Sequence, residues 1–168
     1  DRDEQMVEKP LNPTMALAQR VGAHDLQEDV GQQTTARELD QVCAEITDRQ
    51  SHGWLKKLIS RATPIAGLYI YGGVGRGKTM LMDMFFASLP QSNDCPIVWR
   101  LHFHDFMVLA QDLIHAAREA GTADPIARAA KQLAGRGRVL CFDEMEVLDI
   151  ADAMILARLF TAIFDEGV

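Results

Sequence analysis

Gly72-Gly73-Val74-Gly75-Arg76-Gly77-Lys78-Thr79 matches the pattern G-x-x-x-x-G-K-[ST] at every fixed position, and the residues on either side decide how it is read. Before it, Gly67-Leu68-Tyr69-Ile70-Tyr71 is a short apolar and aromatic run with the composition of a buried strand. After it, Thr79-Met80-Leu81-Met82-Asp83-Met84-Phe85-Phe86 favours helix and contains neither Gly nor Pro. Strand, glycine loop and helix in that order make a phosphate cradle. Glycine lets the backbone turn its N–H groups inward, and the helix N-terminus adds a partial positive charge. The stretch therefore implies a nucleoside triphosphate held by the loop from Gly72 to Met80. Lys78 would reach the β- and γ-phosphates, and the Thr79 hydroxyl would fill one Mg²⁺ position. Arg76 within the loop is expected to be solvated or to touch phosphate. The plainer alternative is a glycine-rich turn with a solvated Lys78, and the strand before it and the helix after it count against that.

The totals fit one ordinary domain with a real core. The chain has 168 residues, of which 48% are hydrophobic and 24% charged, both globular values. With 17 basic against 24 acidic residues the net charge is −7, which argues against a broad nucleic-acid footprint. Cys43, Cys95 and Cys141 are far apart and odd in number, so neither a zinc spacing nor a disulfide framework is suggested. A reducing, cytoplasmic compartment is expected. The N-terminus, Asp1-Arg2-Asp3-Glu4-Gln5, has no secretory pattern. The chain opens without Met and closes at Phe164-Asp165-Glu166-Gly167-Val168, which reads as a helix end, a capping glycine and the start of another strand. The expectation is a piece of a longer protein.

Two parts are expected: an N-terminal helical segment over 1–63 and a phosphate-loop core over 64–168. In the first, Pro10 and Pro13 interrupt any early helix, and Thr14 to Val21 has the spacing of a short amphipathic one. Thr35-x-x-Glu38 reads as a capping box, followed by Leu39, Val42, Cys43 and Ile46 at helical spacing. That helix is expected to run to about residue 61, bent at Gly53, until Pro64 ends it. In the second part, Ile97 to Phe103 is the second expected strand and Val139 to Phe142 the third. Between them lie a helix with Phe106, Leu109, Leu113 and Ile114, and another capped by Asp124-Pro125. Asp149 caps a final helix bearing Ile150, Met154, Leu156, Leu159, Phe160 and Ile163. Near-continuous apolar strands alternating with helices define an α/β fold, a parallel sheet with helices on both faces.

Val139-Leu140-Cys141-Phe142 is followed directly by Asp143-Glu144. An apolar strand ending in Asp is suited to hold Mg²⁺ through water, and the adjacent Glu144 to polarise an attacking water as general base. Alone the pattern is weak; downstream of a phosphate loop, with two strand–helix units between, it is strong. The glutamate favours hydrolysis over transfer to a small-molecule acceptor, which would have to exclude water. His102-Phe103-His104 falls at the C-terminal end of the second strand, the edge where ligands bind in such sheets. Alternation would aim both imidazoles the same way, to sense phosphate or touch a partner, or simply as hydrogen-bonded structural histidines. No third ligand is apparent for a metal there. The methionine-rich run Met80, Met82, Met84 reads as core.

With these pieces in place the chain resembles the ZapE family of AAA+-type ATPases, bacterial cell-division proteins with mitochondrial relatives. The matching blocks are Gly67 to Phe86, His102 to Met107, and Val139 to Leu156; the His-Phe-His and Asp149-Ile-Ala-Asp-Ala-Met154 blocks are more specific than the loop. The likeness covers residues 67–168 well and the first 66 poorly. It implies ATP hydrolysis coupled to work on a protein partner, the tubulin-like division ring in bacteria or inner-membrane proteins in mitochondria. It also implies peripheral membrane association and a homo-oligomer at full length. In this family's sheet the second and third strands are neighbours, and a fourth, beyond Val168, separates the first from the third. Where the family usually reads Phe-Gln after the two acids, this chain has Met145-Glu146, an extra acid near the site. A second reading stays open, a nucleotide-gated protein-binding module in which turnover is incidental.

Overall fold

The computed structural model describes residues 11–51, 66–73, 75–89, 98–147 and 149–168. They fall into two compact units, 1–90 and 91–168.

In the first unit, α1 (Pro13–Gly22) starts where Asn12 accepts a hydrogen bond from the Met15 N–H at 2.9 Å. Pro13 occupies the first helical position, where its missing N–H is no loss, so it opens this helix instead of interrupting one. The next helix, α2 (Val30–Ser51), begins earlier than the Thr35 box predicts. Its cap is Asp29, whose carboxylate accepts from the Gln32 N–H at 3.1 Å. Thr35 lies inside the helix, its hydroxyl donating to the Gly31 carbonyl at 2.9 Å. Asp is the stronger cap, and it outweighs the roughly 1 kcal/mol penalty of Gly31 in the first turn. The expected bend at Gly53 and the boundary at 63/64 both lie outside the described residues.

Helix α3 (Lys78–Ser88) packs with α1 and α2 through Leu17, Leu39, Ile46, Leu81, Met84 and Phe85, all buried. The Thr14 N–H donates to Asp40 at 3.1 Å and ties α1 to α2. Cys43 Sγ lies 3.0 Å from Ser88 Oγ, and Ser88 spends its own proton on the Phe85 carbonyl at 2.7 Å, so the thiol is the donor. Burial pushes the Cys43 thiol above its ordinary range, which suits a structural donor and not a nucleophile.

Among the described residues the expected first strand is not formed. Residues 66–73 pair with no strand among the described residues, and Leu68, Tyr69 and Tyr71 are 41%, 68% and 85% exposed. A strand exists only through a neighbour's ladder of N–H and C=O groups. The composition of Gly67–Tyr71 announces a buried segment, but composition supplies no neighbour.

In the second unit, β1 (Val98–His102) and β2 (Val139–Asp143) pair in parallel, with Arg100 opposite Cys141 and His102 opposite Asp143. The second and third expected strands are thus neighbours. Between them run α4 (Phe103–Glu119) and α5 (Pro125–Ala134), and α6 (Ile150–Asp165) follows β2. Phe103 starts α4, so the strand is shorter at its end than its apolar run predicts. Asp124 caps α5 as expected, accepting from the Ile126 and Ala127 N–H groups at 3.1 Å each.

Phe106, Leu133, Leu159 and Ile163, from three helices, are fully buried in one core. Trp99, Leu101, Leu140 and Phe142 pack against it, one face of the strand pair. Phe106 and Phe142 meet edge to face at 4.7 Å between centroids, and Phe160 stacks on Phe106 at 5.8 Å. Ile150 and Met154, which the helical spacing would place in this core, are 83% and 70% exposed. Among the described residues no helix is long and apolar enough to cross a membrane.

Candidate functional site

The phosphate-loop residues belong to the first unit. Gly75 (φ 76°) and Gly77 (φ 80°) both adopt left-handed backbone, which a side chain would strain. At Gly77 space is also lacking. A Cβ there would stand 3.0 Å from Gln32 Nε2 and 3.2 Å from Met80 Cε. Gly77 is also the residue before the first turn of α3 and has no side chain to cap it, so the N–H groups of that turn remain available to an anion.

Lys78 Nζ donates to the carbonyls of Gly72 and Gly73 at 2.8 and 2.9 Å. The ammonium is folded back over the loop that precedes it. Thr79 is exposed and Met80 half-buried, while Val74 lies outside the described residues. Arg76 is 73% exposed and 3.9 Å from the Asp29 carboxylate, a surface pair of little energetic weight. Its carbonyl, however, accepts from Gln32 Nε2 at 3.1 Å. The first turn of α2 therefore braces the loop. Sequence reasoning missed Gln32 because it lies far upstream, on the helix whose start was misplaced.

The acidic pair belongs to the second unit. Asp143 is the last residue of β2, and Glu144 follows with φ 54°, left-handed backbone on a non-glycine residue. Together with His102, Phe103, His104 and Asp105 they line an open cleft of about 320 Å³, at the C-terminal ends of both strands. His102 and His104 do reach one cleft, but not by strand alternation. His102 is the final residue of β1, directly opposite Asp143, and His104 sits in the first turn of α4.

The side chain that sequence reasoning did not single out is Arg100. Its Nε donates to Asp143 Oδ2 at 2.9 Å, and the two side chains are only 22% and 15% exposed. A signal was present: an arginine in the middle of an apolar strand needs a partner when it is buried.

The donor chemistry fits the groups in question. Backbone N–H groups at a helix start and a lysine ammonium are phosphate donors. Each taken by itself, the Asp143 carboxylate and the Thr79 hydroxyl are hard oxygen donors of the kind Mg²⁺ accepts from protein. Among the described residues no group of three or more His, Cys, Asp or Glu is placed to hold a metal ion.

These features are those of an α/β protein with a glycine loop before a helix, and the chain belongs to the AFG1-like ATPase family, whose model matches residues 11–168. It is 44% identical to the cell division protein ZapE of Escherichia coli over 115 residues, 68% of this chain and 29% of that protein. It is 36% identical to lactation elevated protein 1 homolog B of Danio rerio over 156 residues, 86% of this chain and 29% of the other. An uncharacterized protein of Schizosaccharomyces pombe is 39% identical over 128 residues, 68% of this chain and 28% of that one. The chain spans less than a third of the length of these relatives. No solved structure matches it. The ZapE-type resemblance read from the three sequence blocks stands, and the family match starts at residue 11, well before the expected residue 67.

Proposed function

We propose that this chain binds Mg²⁺ and ATP on a P-loop NTPase fold of the AAA+ type and hydrolyses the nucleotide. The observation that carries this reading is the loop before α3: left-handed glycines at 75 and 77, an available helix N-terminus, and the Lys78 ammonium 2.8 and 2.9 Å from two loop carbonyls. Lys78 exchanges those carbonyls for the β- and γ-phosphates, and the loop from Gly72 to Met80 offers its N–H groups to the same oxygens. Thr79 and Asp143 are the residues that would hold Mg²⁺, and the ion would supply neutralisation of charge on the phosphate oxygens. Glu144 orients the attacking water and takes its proton. Residues 1–63 form a helical segment before the nucleotide-binding core of 64–168. By analogy with a cell division protein, hydrolysis drives regulation or remodelling of a protein partner, the bacterial division ring. On this reading the work is done in the cytoplasm, with peripheral membrane association, by a homo-oligomer at full length.

Phosphate release from ATP tests the reading. The purified chain should release inorganic phosphate with Mg²⁺ present and stop when EDTA removes it. Turnover unaffected by EDTA would overturn the assigned metal role. A chain that neither binds nor hydrolyses ATP would overturn the whole assignment.

A further inference from the structure

We propose that Arg100 is the positioning residue for Asp143, fixing that carboxylate as the Mg²⁺ ligand. The inference rests on the ATP-binding reading above and deepens it. The in-register parallel pairing of β1 and β2 puts Arg100, His102, Cys141 and Asp143 on one face, opposite the face that packs on the aromatic core. Arg100 sits opposite Cys141 and reaches diagonally along the pair to Asp143, two residues on. A long side chain spans that diagonal, as the 2.9 Å contact shows.

Arg100 Nε donates to Asp143 Oδ2. It fixes the rotation of the carboxylate and occupies one oxygen, leaving Oδ1 as the oxygen turned to a metal or its water. With only 15% of the Asp143 side chain exposed, solvent does little to blur that orientation. A carboxylate that ligates a cation works best when a hydrogen-bond partner holds it, and losing such a partner weakens metal affinity by about 10- to 100-fold. Arg suits the task better than Lys because its planar group is donor-rich, stays charged and sets an angle as well as a distance.

The test follows fluorescence of a mant-labelled ATP analogue on the purified chain, titrated without metal and then with increasing Mg²⁺. In the parent, Mg²⁺ should tighten analogue binding. In Arg100→Ala, metal-free affinity should stay put, while the Mg²⁺ concentration giving half the gain rises about 10- to 100-fold. Arg100→Lys should fall between. Asp143→Asn should lose the gain, and adding Arg100→Ala to it should change nothing further, as coupled residues require. Circular dichroism identifies variants that fold, and if Arg100→Ala does not, Arg100→Lys and Asp143→Asn still decide. An Arg100 variant with the parent's Mg²⁺ requirement, or a lower one, overturns the proposal and leaves ATP binding standing. So does a folded variant that loses metal-free binding, since Arg100 would then serve the nucleotide or the fold directly. A parent chain that binds the analogue under neither condition overturns the ATP reading, and this inference with it.

Discussion

Nucleotide affinity should drop by about 100-fold or more when Lys78 is replaced by alanine. The lysine gives up two carbonyl contacts, at 2.8 and 2.9 Å and open to solvent, and gains charge-assisted bonds to phosphate. Water replaces the first pair readily. The phosphate bonds are each worth about 1.5–3 kcal/mol, so two of them account for the drop. Folding should hardly notice the change, since an exposed substitution of this kind moves stability by about 0.5 kcal/mol or less. Isothermal titration with a non-hydrolysable ATP analogue, beside a thermal melt, measures both. A folded variant that binds with the parent's affinity would remove the phosphate-loop assignment.

Glu144→Gln should separate binding from chemistry. Gln has nearly the same shape, keeps the left-handed backbone and lacks the base, so ATP binding should persist while turnover falls about 10²–10⁴-fold. If turnover survives, the base lies elsewhere. Should a partner be in hand, the variant also distinguishes an ATP-driven machine from a nucleotide-gated binding module. A machine whose release step needs hydrolysis would be trapped on its partner, whereas a gated module would let go normally.

The helices and the paired strands were largely legible because their signals are local. Asp124-Pro125 forms the predicted cap with its own two N–H partners, and Val139–Asp143 ends at its acid as its apolar run implies. Neighbourhood of the second and third strands followed from the family likeness. Most of the misses share a physical cause: a partner distant in sequence. Gly67–Tyr71 reads as a strand by composition, yet a ladder needs a neighbour that no residue in the run can specify. The start of α2 is the local exception, where Asp29 and not Thr35 is the cap. Gln32 and Arg100 act on residues 44 and 43 positions away. For Arg100 a clue existed, a charge amid apolar neighbours, but not the identity of its partner. The supports of the expected site residues, Gln32 and Arg100, were legible only in three dimensions.

The left-handed backbone at Glu144 also bears on how this protein tolerates change. A residue with a side chain held at φ 54° sacrifices about 1–3 kcal/mol relative to relaxed backbone, and glycine alone would escape that penalty. Glycine loses part of the gain to the greater freedom of its unfolded chain, about 0.4–1 kcal/mol. Glu144→Gly should therefore be a stabilising lesion: melting a few degrees higher, about 2–4 °C per kcal/mol gained for a chain of this size, while hydrolysis collapses. A selection for heat resistance alone would drift toward glycine at this position, and one for turnover would hold the glutamate against that drift. Screens that score folding and screens that score ATP consumption should then rank the same substitution at opposite ends.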